Sequence, residues 1–210
     1  MKNGIFHIVS AGDLREGDLP VALSDEDFLC AADAGYLHLR AAGQRPALII
    51  GDFDSMREDS IPEDIERILL PVDKDDTDTV FAVREGIRRG YRRFRIYGGL
   101  GGHRISHTFA NIQLLTMIRD LGGEGEIVQG KTRILLGNAG STTRFEKRTD
   151  GSLSVFSLTD RSVVTLRGLY YTLDKGTLLR SFPLGVSNHF IGEEAEILIH
   201  EGEVLIILED

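Results

Sequence analysis

The chain has 210 residues, of which 41% are hydrophobic and 27% charged, with a formal net charge of −9. That composition suits one large or two small globular domains with a real core, and rules against collagen, coiled coil and disorder. Its acidity argues against general binding to nucleic acid or an anionic membrane, and no apolar run approaches the ~20 residues of a membrane span.

The N-terminal MKNGIFHIVSAGD has too short an apolar stretch, and too early an acid, for a secretory signal. Cys30 is the single cysteine. It cannot form an internal disulfide, and a cytoplasmic protein is expected. Ile5 to Ser10 is short, apolar and β-rich and is followed by a Gly12-Asp13 turn. Phe28 to Ala32 predicts a buried strand, Tyr36 to Ala42 a short helix, and Ala47 to Ile50 a third strand ending at Gly51-Asp52. Thr77 or Asp76 can cap a helix that runs through Val80, Phe81, Val83 and Ile87 to Gly90. Phe94 to Tyr97 reads as a strand leading into a glycine-rich loop, Gly98 to Gly102. A helix follows with Phe109, Ile112, Leu115 and Ile118 at helical spacing, and it stops at Gly122-Gly123. Strands alternating with helices imply a Rossmann-like parallel sheet with helices on its faces.

After Gly123 the pattern changes. Glu126–Gln129, Arg133–Leu136, Leu153–Leu158, Val163–Leu166 and Ile197–His200 are short, β-branched segments separated by turn residues. Glu201-Gly202, between Ile197–His200 and Val204–Leu208, reads as a hairpin turn. The expected architecture is an α/β domain over residues 1–125 followed by an all-β sandwich over 126–210.

The charge is concentrated. From Gly51 to Asp78, eleven acids face Arg57, Arg67 and Lys74, a sum of −8; from Thr79 to Arg119, eight arginines face only Glu85, a sum of +7. A carboxylate block followed by an arginine block could serve a metal-complexed polyphosphate. For most of these side chains a solvated helix face is the better account.

Three segments carry more. In Gly51-Asp52-Phe53-Asp54-Ser55, two aspartates spaced i, i+2 follow a buried strand. Ligands of open α/β sheets bind beyond the carboxyl ends of the strands. Oxygen donors there suit Mg²⁺, whereas a simple turn accounts for one aspartate but not two. In Asp73-Lys74-Asp75-Asp76-Thr77-Asp78, a cap needs one such residue and four acids are present. Asp75 and Asp78 can face one way on a first helical turn, and crowded carboxylates call for a cation. The glycine loop, with Arg104 and His107, can present backbone N–H groups to phosphate. It matches neither GxGxxG nor a Walker A loop. Cys30, inside an apolar strand, reads as a buried small hydrophobe rather than a nucleophile.

Taken in order, these segments resemble the thiamine pyrophosphokinase family, whose pattern is A-D-G-G, G-D-F-D-S, K-D-x-T-D, G-G-R-x-D-H-x-x-A-N and S-N-E. Here they stand as Ala32-Asp33-Ala34-Gly35, Gly51 to Ser55, Lys74 to Asp78, Gly101 to Asn111 and Ser187-Asn188-His189. The resemblance implies an ATP-binding α/β domain, a thiamine-binding β domain and a homodimer with thiamine near the subunit interface. It implies transfer of the β,γ-diphosphoryl group of ATP to the hydroxyethyl oxygen of thiamine, with release of AMP. It makes Asp52, Asp54 and Asp78 the Mg²⁺ ligands, with Asp75 a further acid of the site and a candidate acceptor of the alcohol proton. Asp33, Ser55, Lys74, Thr77, Gly101, Gly102, Arg104 and His107 become ATP contacts, and Ser187 and Asn188 thiamine contacts. The sequence departs from the pattern at Ala34, at Ser106 in place of Asp, at the extra His103 and at His189 in place of Glu. Two rival readings are a pyrophosphokinase for another hydroxymethyl heterocycle, such as a pterin, and a thiamine- or nucleotide-binding protein whose activity has decayed.

Overall fold

The computed structural model describes residues 1–15, 17–19, 23–53, 61–71, 73, 75–101 and 105–210. They form two compact units, Met1–Gly130 and Lys131–Asp210.

The first unit contains β1 (Ile5–Val9), β2 (Phe28–Ala32), β3 (Leu48–Gly51), β4 (Glu66–Leu69), β5 (Arg93–Tyr97) and β6 (Glu124–Gln129). They lie in the order β6-β5-β1-β2-β3-β4, and every neighbouring pair is parallel. Strands covered on both faces need apolar residues at every position, which is why FLCAA and LIIG are almost wholly buried. Three helices pack on them: α1 (Gly35–Ala41), α2 (Asp78–Arg88) and α3 (Ile105–Asp120). Tyr36 and Leu39 of α1 join Val9, Leu29, Ala31 and Ile49 in one apolar cluster. α2 approaches the sheet so closely at Gly86 that a Cβ there would stand 2.5 Å from the Phe94 ring.

Two local expectations change. Thr77 rather than Asp76 caps α2: its Oγ1 accepts the Val80 N–H at 3.3 Å. Asp75 therefore precedes the helix and cannot share its first turn with Asp78. β6, grouped by composition with the second half of the chain, pairs in parallel with β5 and lies in the first unit.

The second unit is antiparallel. Its strands are β7 (Thr132–Asn138), β8 (Thr142–Phe145), β9 (Ser152–Ser157), β10 (Arg161–Arg167), β11 (Leu173–Leu179), β12 (Gly185–His189), β13 (Ala195–Glu201) and β14 (Glu203–Glu209). Within it, β12-β9-β14-β7 form one ladder and β11-β10-β13-β8 another. One apolar cluster draws on both: Leu153, Val155, Val204 and Ile206 meet Val164, Leu166, Ile197 and Ile199. The expected hairpin at Glu201-Gly202 is absent. β13 pairs with β8 and β10, while β14 pairs with β7 and β9, so Gly202 (φ 75°) turns a corner between ladders. Side-chain pattern reports strand identity but not strand partner.

Candidate active site

In the first unit the chain runs outward from β1 through β2, β3 and β4, then returns to place β5 on the other side of β1. The order reverses between β1 and β5. Such a reversal opens a crevice at the carboxyl ends of a parallel sheet. A cavity of about 360 Å³ lies at this point. Its walls are the segment after β1 (Ser10 to Asp13), the end of β2 (Ala32 and Asp33), the start of α2 (Thr77 to Thr79), the glycine loop after β5 (Gly98, Gly99 and Gly101), and His107 and Asn111 of α3.

The glycine loop is held from three sides. Asn111 Nδ2 donates to the Gly99 carbonyl at 2.8 Å, the Leu100 N–H donates to Gln129 Oε1 at 3.1 Å, and the Gly12 N–H donates to the Gly98 carbonyl at 3.0 Å. Gly98 and Gly101 sit at φ 64° and 73°, a region that favours glycine. At the ends of the neighbouring strands β2 and β3, two residues that are not glycine also take left-handed backbone: Asp33 (φ 46°) and Phe53 (φ 58°). Asp tolerates this region, but a bulky aromatic there is strained. Burial of the Phe53 ring in the α1 cluster holds it in place. The Asp33 N–H donates to the Ile50 carbonyl at 2.7 Å. A Cβ on Gly51 would stand 3.1 Å from Asp33 Cα, so the glycine of GDFDS lets the two acidic strand ends approach. Strain of this kind gathers at functional sites.

Beneath the loop, His7 of β1 is 2% exposed and its ring stacks on Tyr97, the last residue of β5. Nδ1 lies 3.2 Å from the Tyr97 hydroxyl. Burial pushes the His7 pKa below its ordinary value, against the opposing pull of Asp27; burial likewise raises Tyr97. Nε2 is 3.7 Å from Asp27 Oδ2, too far for a hydrogen bond. The Asp27 carboxylate accepts instead from the Ile5 N–H at 2.7 Å and the Ser24 N–H at 2.9 Å.

Two family models match the chain: thiamin pyrophosphokinase, catalytic domain, over residues 19–122, and thiamin pyrophosphokinase, vitamin B1 binding domain, over residues 142–204. The chain belongs to the thiamin pyrophosphokinase family. Members are diphosphotransferases, and the chain is an enzyme of that kind. Solved structures agree in fold. The thiamin pyrophosphokinase of Geobacillus thermodenitrificans is 27% identical, with a TM-score of 0.83 over 98% of this chain and 97% of its own. A thiamin pyrophosphokinase family protein of Enterococcus faecalis is 27% identical, with a TM-score of 0.81 over 99% of each chain. The thiamine pyrophosphokinase of Bacillus subtilis, at 22% identity, has a TM-score of 0.85 over 98% of each. A search of curated sequences returns no match.

Of the residues expected at a thiamin pyrophosphokinase site, Asp33, Thr77, Asp78, Gly101 and His107 line the cavity together. Asp52 leaves β3 on the same edge but does not line it, and Asp75 is exposed and outside the lining. Asp54, Ser55, Lys74, Gly102 and Arg104 lie outside the described residues. Among the described residues, no three of His, Cys, Asp and Glu converge into a metal centre. Asp76 pairs with Arg84. Ser10, Asp13, Thr79 and Asn111 were not singled out as site residues from the sequence. Ser10, Asp13 and Thr79 show only position, just after a strand or in the first turn of a helix at the carboxyl edge, whereas Asn111 closes the glycine-loop motif of the family pattern. Ala34 sits at φ −60°, so alanine in place of the family's glycine costs nothing there; the left-handed residue is Asp33. In the second unit, Ser187 is exposed at φ 55°, and its N–H donates to Ser154 Oγ at 3.0 Å. Asn188 is 5% exposed, and its amide is committed to backbone. Oδ1 accepts from the Tyr171 N–H at 2.9 Å and the His189 N–H at 3.0 Å, while Nδ2 donates to the Tyr171 carbonyl at 2.6 Å.

Proposed function

We propose that the chain transfers the β,γ-diphosphoryl group of ATP to the hydroxyethyl oxygen of thiamine, releasing thiamine diphosphate and AMP, with Mg²⁺ required. The carrying observation is the acid- and glycine-lined cavity at the strand reversal of a catalytic-domain match, in a chain that also matches a vitamin B1 binding domain. On this reading the first unit is a Rossmann-like ATP-binding domain and the second a β-sandwich that contributes to thiamine binding.

The expected donors are suited to the metal in type: Asp52 and Asp78 offer hard carboxylate oxygens at the end of β3 and the start of α2, the ligand type magnesium takes. With Asp54 they would hold Mg²⁺, which when bound offsets polyphosphate charge and polarises the attacked phosphorus. The protein's own part is positioning, which dominates phosphoryl-type transfer. The glycine loop, fixed by Asn111, Gln129 and Gly12, presents N–H groups to the polyphosphate, and Lys74, Arg104 and His107 add cationic or donor contacts. Ser187, beside the Tyr171 turn that Asn188 fastens, contributes to the thiamine site. Asp75, exposed and outside the cavity lining, is not assigned the alcohol proton.

A homodimer is supported by large apolar side chains exposed on the second unit, among them Tyr170, Tyr171, Phe182 and Leu184, since apolar patches of this kind mark association surfaces. A cytoplasmic setting is supported by the buried free thiol of Cys30, whose pKa burial pushes up. Among the described residues no helix is long and apolar enough to cross a membrane. The deciding experiment is an AMP-release assay with ATP and thiamine, with and without Mg²⁺, and with a hydroxymethylpterin in place of thiamine. AMP release that needs both thiamine and magnesium is expected. Release with the pterin alone, or none with thiamine, would overturn the reading.

A further inference from the structure

Ser10 follows β1 and Thr79 lies in the first turn of α2. Both line the cavity, at 5% and 7% exposure. Their hydroxyls are 3.0 Å apart, and this is the only side-chain hydrogen bond either makes among the described residues. Two hydroxyls carry two protons, and the bond between them spends one. Among the described residues the other proton finds no acceptor, although a buried hydroxyl that donates to nothing is costly.

A second hydroxyl pair in the same chain shows what a purely structural arrangement looks like. Ser157 and Ser162 are 2.7 Å apart, yet each also has a backbone acceptor: Ser157 Oγ donates to the Thr159 carbonyl and Ser162 Oγ to the Glu203 carbonyl, both at 2.8 Å. No proton there is left over. The Ser10–Thr79 pair differs in that its unspent proton sits on a cavity wall. The Thr79 N–H stands beside it in the first turn of α2, where a helix supplies no intrahelical acceptor; the cap from Thr77 serves Val80 instead. A hydroxyl proton and a first-turn N–H side by side, at the positive end of an eleven-residue helix, suit an anionic oxygen.

We propose that the Ser10–Thr79 pair is a binding element for the nucleotide's polyphosphate: one hydroxyl orients the other, which donates to a non-bridging phosphate oxygen. The inference rests on the cavity being the ATP site, and neither residue belongs to the motifs that identify the family. Tying β1 to α2 is a by-product of the pair, and binding accounts for its second proton.

The test uses the full-length enzyme with Ser10→Ala, Thr79→Val, the double variant, Thr79→Ser as the conservative replacement and Ser162→Ala as the structural control. Equilibrium binding of ATP and of adenosine is measured without thiamine, alongside the KM values for both substrates in the AMP-release assay. Loss of a hydrogen bond to a charged oxygen is worth at least about tenfold. One single variant should therefore weaken ATP binding about tenfold and the other, which only orients, less. The double should stay within about threefold of the worse single, because the two hydroxyls act as one unit. Adenosine binding and the thiamine KM should move less than twofold, Thr79→Ser should restore ATP binding, and Ser162→Ala should lower the Tm without moving either KM. If the double variant binds ATP within twofold of wild type, if adenosine binding falls as much as ATP binding, or if the thiamine KM rises in step, the pair is structural and the proposal fails. A wild-type enzyme that binds ATP but releases no AMP would overturn the transferase reading while the ATP arm still decides the role of the pair. A wild-type chain that binds no ATP would overturn both.

Discussion

Gly12 offers a direct test of whether the cavity is the working site. It lies where the loops leaving β1 and β5 touch, and its N–H donates to the Gly98 carbonyl. A Cβ at residue 12 would stand 2.3 Å from the Gly98 oxygen and 3.0 Å from the Leu100 oxygen. That is about 1 Å short of an ordinary contact. The obstructing atoms are backbone, so no rotamer change relieves the clash and the loops must separate. Overpacking of this kind costs ~1–3 kcal/mol, which a folded domain survives. The functional cost is larger, because a displacement of about 1 Å in a positioning loop can remove ~100-fold in rate. Gly12→Ala should therefore keep a cooperative thermal transition, lowered by several degrees, while AMP release falls about a hundredfold. Gly17→Ala supplies the contrast. Gly17 has φ 90° but nothing within 4 Å of its Cβ position, so alanine there should cost ~1 kcal/mol in backbone strain and leave turnover unchanged. Turnover of Gly12→Ala within threefold of wild type, or an equal loss in Gly17→Ala, would refute the assignment of these loops to the site.

The other predictions probe charge and burial. The depressed His7 pKa means the folded state binds fewer protons than the unfolded chain, so its stabilising contribution is complete above pH ~6.5 and is lost as pH falls from there toward the folded pKa; the wild-type Tm should drop between pH 7.5 and 5.5, and His7→Gln should drop less. Asp78→Asn should cut AMP release at least ~100-fold with the fold intact, whereas Asp76→Asn, which loses only the exposed Arg84 pair, should change stability by less than ~0.5 kcal/mol and turnover by less than about threefold. Asn188→Ala leaves the Tyr171 N–H and carbonyl without their partner, and should cost about 2 kcal/mol by denaturant melt and raise the thiamine KM more than the ATP KM; equal effects on both would sink the division of labour between the units.

The parts of the fold legible in the sequence are those where burial is one-sided or complete. β2 is found residue for residue at Phe28–Ala32, because a strand covered on both faces leaves an unbroken apolar run. α2 and α3 are legible from spacing, and the Thr77 cap from residue type. β4, β8, β11 and β12 escape notice for the opposite reason. ERIL is a short charged edge strand, and LDKGTLL and GVSNH are mostly exposed, so neither strand alternation nor an apolar run marks them. In the site, Asp33 and Asp78 are legible as acids at element ends. Ser10 and Thr79 are not: serine and threonine at such positions are ordinary caps and turn formers. What sets them apart is the reversal of strand order at β1 and β5, a property of partner choice that no local pattern encodes.

The same distinction governs the charge blocks. An acidic window followed by a basic one could have meant a polyphosphate site built from both, yet several of these charges are paired across the windows, within them or with neighbouring strands. Asp76 takes Arg84, Glu66 takes Arg89, and Glu85, the one acid of the basic window, bridges Arg88 and Arg89. The Arg88 and Arg89 contacts hold the Glu85 carboxyl below its ordinary range against the effect of burial. Arg95 is taken by Glu126 of the neighbouring strand. These arginines are therefore engaged in holding α2 and the sheet, and the cavity's acids are chosen by backbone position rather than by local charge density. Asp33 and Asp78 reach the cavity because each ends or begins an element at the carboxyl edge of the sheet. An acid in the same window that begins no element there, as Asp75, stays outside it. A place at the edge, more than local charge density, is what the lining acids share, and it is not sufficient by itself, since Asp52 follows β3 at that edge without lining the cavity.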